Sequence, residues 1–186
     1  MGVAVASGSQ HVGIRVPHAK PKVGIVATQG YTNISYGIKG IKLLEEGFSP
    51  SETLKTLVAG DPEKELRQVA IMDFYGRKAV FTGCMTLMYH GEIVGEDYII
   101  IGNLLSNDRV LKEMALAFEK TEGDLAWRMI WALKIGSNYG GDRRGERSAA
   151  LIVVSETHIE TELKVDVGVN PIQKLMDKLK KFYNFS

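Results

Sequence analysis

Strand-like apolar runs fall in clusters along this chain, and helical patterns come in pairs between them. Residues 2–7 (GVAVAS) and 22–30 (KVGIVATQG) read as buried strands, the second following Pro17 and Pro21. From Tyr36 onward, Ile38, Ile41 and Leu43 or Leu44 recur at helical spacing up to a stop at Gly47. A second helix follows, with Ser49 as N-cap, Pro50 in its first turn and Glu52 completing a capping box. Residues 67–83 alternate about a Tyr75-Gly76 turn and predict a hairpin, and 96–103 (EDYIIIGN) is a further strand. Ser106 or Asn107 caps a third helix with Val110, Leu111, Met114, Ala117 and Phe118 on one face, and Asp124 caps a fourth carrying Trp127 and Trp131. Strands at 149–155 and 162–168 precede a terminal helix over 171–183, which opens near Pro171. Grouped strands and paired helices predict an α+β layered fold, two mainly antiparallel sheets flanked by helices, and rule against the strict alternation of a doubly wound sheet.

At 186 residues the chain can bury a large core, and we read residues 1–186 as one domain. A net charge of +1 argues against a general polyanion binder, so no nucleic-acid partner is expected. Cys84 is the sole cysteine, which excludes an internal disulfide and any multi-cysteine metal site. It reads as a small buried thiol more readily than as a nucleophile. The four histidines, His11, His18, His90 and His158, lack metal-ligand spacing, and no metal or cofactor is expected. No stretch reaches the roughly 18 apolar residues a membrane span needs, and no signal peptide is evident, which together predict a cytoplasmic protein. The lysines between Lys174 and Lys181 read as the wet face of the last helix.

Two kinds of segment stand out as candidate chemistry. Three strands end in small and polar residues, Ala27-Thr28-Gln29-Gly30, Thr82-Gly83 and Gly102-Asn103. Converging strand ends of this kind can offer donors to an oxyanion or anion, although Gly and Asn also serve ordinary turns. The second is GGDRRG (140–145), which runs straight into the apolar strand at 149–155. Its glycines permit unusual backbone, Arg143 and Arg144 supply forked donors for a carboxylate or phosphate, and Asp142 can orient a guanidinium or handle a proton. A solvated loop at a helix end is the plain alternative.

GVAVAS, TQ-x-Y-x-N-x-SYG (Thr28 to Gly37), the VFTG strand end, IIIGNLL and GGDRRGERSAALIVV together resemble the prokaryotic domain-of-unknown-function family 1028 over roughly residues 2–180. That family is placed with the N-terminal nucleophile (Ntn) hydrolases, and the resemblance implies a four-layer αββα sandwich. It implies amide hydrolysis of a small anionic substrate or peptide in a pocket at one end of the sheets. Thr28, Gln29, Tyr31, Asn33, Thr82, Gly83, Arg143 and Arg144 would bind substrate there, with Asn103 and Asp142 as catalytic helpers. Members of the family begin with a further strand that carries Thr or Ser after Met. The chain as given starts at the equivalent of the next strand, with Gly2 following Met1, so the resemblance implies that the N-terminal nucleophile is absent and the catalytic residue unknown. The alternative is a non-catalytic ligand-binding or assembly protein on the same fold. A homo-oligomer, dimer or larger, is expected in either case, because Ntn folds associate through their helices and an unpaired first strand invites pairing.

Overall fold

The computed structural model describes residues 1–184. Nine strands are present: β1 (Gly2–Ser7), β2 (Pro17–Lys20), β3 (Gly24–Gly30), β4 (Arg67–Asp73), β5 (Lys78–Thr82), β6 (Gly91–Val94), β7 (Ile99–Gly102), β8 (Ser148–Val154) and β9 (Ile159–Val165). Five α-helices accompany them: α1 (Ile34–Glu45), α2 (Pro50–Ala59), α3 (Arg109–Lys120), α4 (Leu125–Asn138) and α5 (Pro171–Asn184). The α+β class with antiparallel sheets is as the sequence predicts. The strands form three hydrogen-bonded sheets, ordered β1-β8-β9, β2-β3-β4-β5 and β6-β7, in place of the two expected. Two strands escaped the sequence reading. PHAK in β2 and GEIV in β6 span four residues each, too short for an alternation to register, and both are defined by their partners β3 and β7.

Local signals set the helix ends. Ser49 and Glu52 form the reciprocal capping box at α2, and the Asp124 carboxylate accepts the Trp127 N–H at α4. At α3 the N-cap is Asp108, without a side-chain cap. Asn107, one of the two expected caps, accepts the Arg109 N–H from just outside the helix.

Each apolar face meets another. Helices α1 and α2 cover one face of the four-stranded sheet through Val26, Tyr36, Leu44, Leu57, Val69 and Ile71. Helices α4 and α5 cover the three-stranded sheet through Ile130, Leu133, Leu151, Val153, Leu175 and Leu179. Val5 and Ala150 of one sheet meet Val12, Val16 and Ala27 beside the other, so the two sheets pack together inside the helical layers as a sandwich. A smaller cluster of Ile100, Leu111 and Ala115 joins α3 to the β6-β7 ribbon. Full burial of a side chain such as Leu151 or Ile130 contributes about 1.5–3 kcal/mol. Strand β8 sits between β1 and β9 with all seven residues buried, so the run that follows the charged loop is the centre of its sheet.

Strand β1 is different: it lies at the edge of its sheet. Met1 and Val154 exchange both backbone hydrogen bonds, which fixes the phase of the antiparallel ladder. Val3 and Val5 therefore point their N–H and C=O groups at β8, and Gly2, Ala4 and Ala6 point theirs the other way. Among the described residues no strand receives them.

Candidate functional site

A cavity of 760 Å³ lies along that open edge, and every residue of β1 contributes to its wall. One side is the inner face of the four-stranded sheet, where period-two alternation presents Ile25, Ala27, Ala70 and Met72. The opposite side is α4, with Met129 and Leu133, and β7 closes a flank with Ile99 and Ile101. Interiors are normally close-packed with few voids larger than a water molecule, and this space lies along the β1 edge where the family resemblance puts a preceding strand.

The polar residues of the cavity gather at one end. Gln29 and Asn103 line it, and both donate to the same acceptor, Gln68 Oε1, at 2.8 and 3.3 Å. Gln68 is fully buried and spends its own amide hydrogens on Thr82 Oγ1 and Gly91 O, each at 2.9 Å. All four of its hydrogen-bonding positions are filled, so it acts as a fixed support. Gln29 and Asn103 each keep one N–H and a carbonyl oxygen for the cavity. Thr82 in turn donates to Glu92.

The 140–145 loop forms the rest of that end. Asp142 Oδ2 accepts the Gly8 N–H at 2.8 Å, immediately beyond the open edge of β1, and Arg144 grips the same carboxylate through Nε at 2.9 Å and Nη2 at 2.6 Å. Burial alone would raise the Asp142 pKa, but the Arg144 hydrogen bond and the Gly8 N–H outweigh it and hold the carboxyl below its ordinary value. Arg144 also reaches Ser9 Oγ at 3.3 Å. The loop is tied on its other side by Arg143 N donating to Leu104 O and Ser106 N donating to Gly141 O, both at 3.0 Å. Gly141 has φ 48°, and a Cβ there would stand 1.9 Å from the Glu146 carboxylate that accepts the Asp142 N–H, so a side chain would strain the backbone and displace Glu146. The charge beside β8 is thus a brace joining the end of β1 to the loop after β7. Leu104 in that loop holds a left-handed backbone, φ 53°, unusual for a leucine and also at the cavity wall.

Of the candidate binding and catalytic residues, the fold brings Gln29, Tyr31, Asn103, Asp142 and Arg144 to this cavity, along with Ala27, Gly30, Gly102 and Gly141 of the same segments, and leaves Thr28, Asn33, Thr82, Gly83 and Arg143 off its wall. Thr28 is on the opposite face of β3, fully buried, and donates to Asn33 O. Asn33 caps α1, accepting the Ser35 N–H, and reaches Asp61. Thr82 stands behind Gln68, and Gly83 packs on the Glu65 backbone so closely that a Cβ would come within 2.3 Å. Arg143 is exposed and does not line the cavity. Cys84, read as buried, is exposed, and its bond to Glu65 pushes the thiol pKa up, away from the reactive thiolate. Gln68 was missed because a lone glutamine inside RQVAIMD carries no motif.

The Thr28–Gly37 signature has a second role. Arg67 donates to Tyr31 O, to Asp61 at 3.0 Å and to Glu63 at 2.6 Å, while Tyr36 Oη donates to Asp61 at 2.9 Å. The Arg67 and Asp61 side chains are only 6% and 8% exposed. Their hydrogen bond holds the Asp61 carboxyl well below the usual carboxylate range, and burial together with Asp61 pushes the Tyr36 hydroxyl above its own. This cluster locks the turn that carries Gln29, Gly30 and Tyr31 to the cavity.

Among the described residues no group of three or more His, Cys, Asp or Glu is arranged to hold a metal ion, and no helix is long and apolar enough to cross a membrane.

Fold and cavity together define a class: an antiparallel sandwich of two principal sheets with flanking helices, a third two-stranded ribbon, and a deep cavity along the edge of β1. The chain belongs to the family of unknown function DUF1028, whose model matches residues 1–175. It is similar to protein SPO2555 from Silicibacter pomeroyi, a DUF1028 crystal structure, with 29% sequence identity and a TM-score of 0.90 over 97% of this chain and 79% of that one. No curated protein matches this chain.

Proposed function

We propose that the cavity beside β1 binds a ligand with an apolar body and an amide at one end, and that it is where the amide hydrolysis implied by the Ntn resemblance takes place when a nucleophile is present. The observation that carries this reading is the position of Gln29 and Asn103, two supported amides with free donors and acceptors, at the polar end of an otherwise apolar cavity. They suit a carbonyl oxygen and, as the carbonyl becomes tetrahedral, an oxyanion. Asp142, held ionised by Arg144 and the Gly8 N–H, stands at the same end and would orient the polar group of the ligand there.

An anionic substrate gripped by the two arginines has less support. Arg143 is off the wall, and two of the Arg144 donors are committed to Asp142. We therefore favour a neutral amide over a carboxylate. The non-catalytic reading is supported by Ser7 and Ser137, cavity-wall hydroxyls engaged structurally: Ser7 Oγ accepts the Ser9 N–H, and Ser137 Oγ donates to Glu146.

The two readings separate in one experiment on the 186-residue chain. N-acyl amides with aliphatic acyl chains are titrated by thermal shift, and amine release is followed in the same samples. Stabilisation with release supports hydrolysis, and stabilisation without release supports binding alone. If no aliphatic amide shifts the transition while charged carboxylates do, the neutral-amide reading is wrong.

A further inference from the structure

The loop between β5 and β6, residues 83–90, turns a row of apolar side chains outward. Met85, Leu87, Met88 and Tyr89 are exposed there, and Tyr31 and Ile34, between β3 and the first turn of α1, are exposed beside them. Backbone bonds make the two groups one surface: Met85 N donates to Glu65 O at 2.8 Å, and Tyr31 N donates to the next carbonyl, Leu66 O, at 2.9 Å. The far half of the loop is tied as well, since Leu104 N donates to Leu87 O and Leu105 N to Tyr89 O. These six side chains are between 40% and 68% exposed, and at roughly 200 Å² for a side chain of this size they present on the order of 600 Å² of apolar surface. The largest apolar patch of a monomer is normally about 300–600 Å², and a standard interface takes about 800 Å² from each partner. The patch therefore supplies most of an interface, and Met and Tyr are side chains that interfaces favour.

Its two borders carry opposite charge. Where the loop begins, the Glu65 carboxylate accepts the Cys84 N–H at 3.0 Å, and Glu63 is exposed in the same turn. Where the loop ends, Leu104 links it to the basic segment: Arg143 N donates to Leu104 O, and Arg143, Arg144 and Arg147 are exposed on the way into β8. An anionic lipid surface would be repelled by the acidic border. A second copy of the chain meets no such penalty. A two-fold axis through the loop lays the patch on itself and brings the acidic border of each protomer onto the basic border of the other.

We infer that two copies of the chain associate through this face, patch to patch, with Glu65 of one protomer set against Arg143 of its partner. Tyr31, Ile34, Met85 and Leu87 also line the cavity, so the two mouths face each other across the dimer and each is walled in part by the other protomer. This contact uses neither a helix face nor the β1 edge, the surfaces expected from sequence, and it does not depend on what the cavity holds.

Sedimentation velocity of the 186-residue chain over a hundredfold range of concentration should show a dimer. Leu87→Glu, at an exposed position, should give a monomer that unfolds as the dissociated parent does. Arg143→Glu and Glu65→Arg each set like charges together twice across the two-fold axis and should weaken the dimer at least tenfold, while the two combined recover most of that loss. Arg143→Ala should change little, because a solvated rim pair contributes little by itself. Cys84 lies in the same loop and is exposed in the single chain, so its alkylation by iodoacetamide should slow at least fivefold in the dimer and recover in Leu87→Glu. The inference is overturned if the parent stays monomeric, if Leu87→Glu leaves the dimer intact, or if a folded double reversal is as weak as either single one. Should the double reversal not fold, Leu87→Glu and the Cys84 rate decide. A monomer that binds vesicles of phosphatidylglycerol through this loop, and loses them in Leu87→Glu, overturns it in favour of a lipid surface. None of these outcomes touches the reading of the cavity.

Discussion

Two Asp–Arg pairs in this molecule use the same side chains to opposite ends. Asp61–Arg67 is closed in, 8% and 6% exposed, with Tyr36, Asn33, Glu63 and the Tyr31 carbonyl completing its hydrogen bonds. Asp142–Arg144 is 10% and 45% exposed and stands at the end of the cavity, with Gly8 as its main further partner. The first is part of the architecture and holds a turn. The second sits where a ligand would meet it. Burial and the number of fixed partners separate the two, and the residue types do not.

The largest expected effect comes from breaking the enclosed pair. Arg67→Ala leaves Asp61 buried with its main partner gone and should cost about 3–5 kcal/mol in denaturant unfolding. A loss below about 1 kcal/mol would mean that the pair is solvated and that the contrast drawn here is false. Acid sharpens the same comparison. The Asp61 carboxyl is held low by Arg67, so the unfolded chain takes up its proton first, near pH 4, while the folded chain resists. Stability is therefore present above about pH 4 and falls as pH drops toward the folded pKa. Asp61→Asn should flatten that acid limb of the stability curve, although it lowers stability at neutral pH. An unchanged acid limb would assign the proton uptake to other carboxylates.

A smaller effect is expected at the cavity. Arg144→Ala removes a half-exposed partner but leaves Asp142, 10% exposed, with its Gly8 and Arg144 backbone N–H donors, and should cost about 1–3 kcal/mol in stability, less than Arg67→Ala, while weakening amide binding severalfold, measured by calorimetric titration. Equal losses at Arg67 and Arg144 would erase the distinction. Smallest of all is Arg143→Ala, predicted to leave stability and binding unchanged, since its side chain is exposed off the cavity wall and only its backbone N–H ties the loop. A drop in affinity there would restore the two-arginine reading made from sequence.

Much of the fold was legible in the chain because its signals are local. Ser49 with Glu52 and Asp124 mark helix starts within four residues, and SAALIVV announces a strand buried on both faces. PHAK and GEIV became strands only through their neighbours, which no local pattern encodes. The site was legible in part. Gln29, Asn103 and Asp142 were visible as polar residues at strand ends and in a glycine-rich loop, and the fold gathers them. Thr28 was misplaced by one step of strand alternation, which turned it to the helical face. Gln68 was invisible because its importance lies in bonding to four separate segments, at Gln29, Thr82, Gly91 and Asn103. A pocket at one end of the sheets was implied by the family resemblance, but its apolar walls on β3, β4 and α4 are a property of packing that no residue pattern encodes.

The central claim is that the space beside β1 is where a ligand sits, and it is tested most directly by filling that space. Ala70→Phe projects a ring into the cavity from the inner face of β4, where there is room for it. Calorimetric titration of the parent and the variant with the tightest amide or peptide found should show binding in the parent and at least a hundredfold loss in Ala70→Phe, with the variant's unfolding transition unchanged or raised. Undiminished affinity in a folded Ala70→Phe would place the ligand elsewhere and contradict the account.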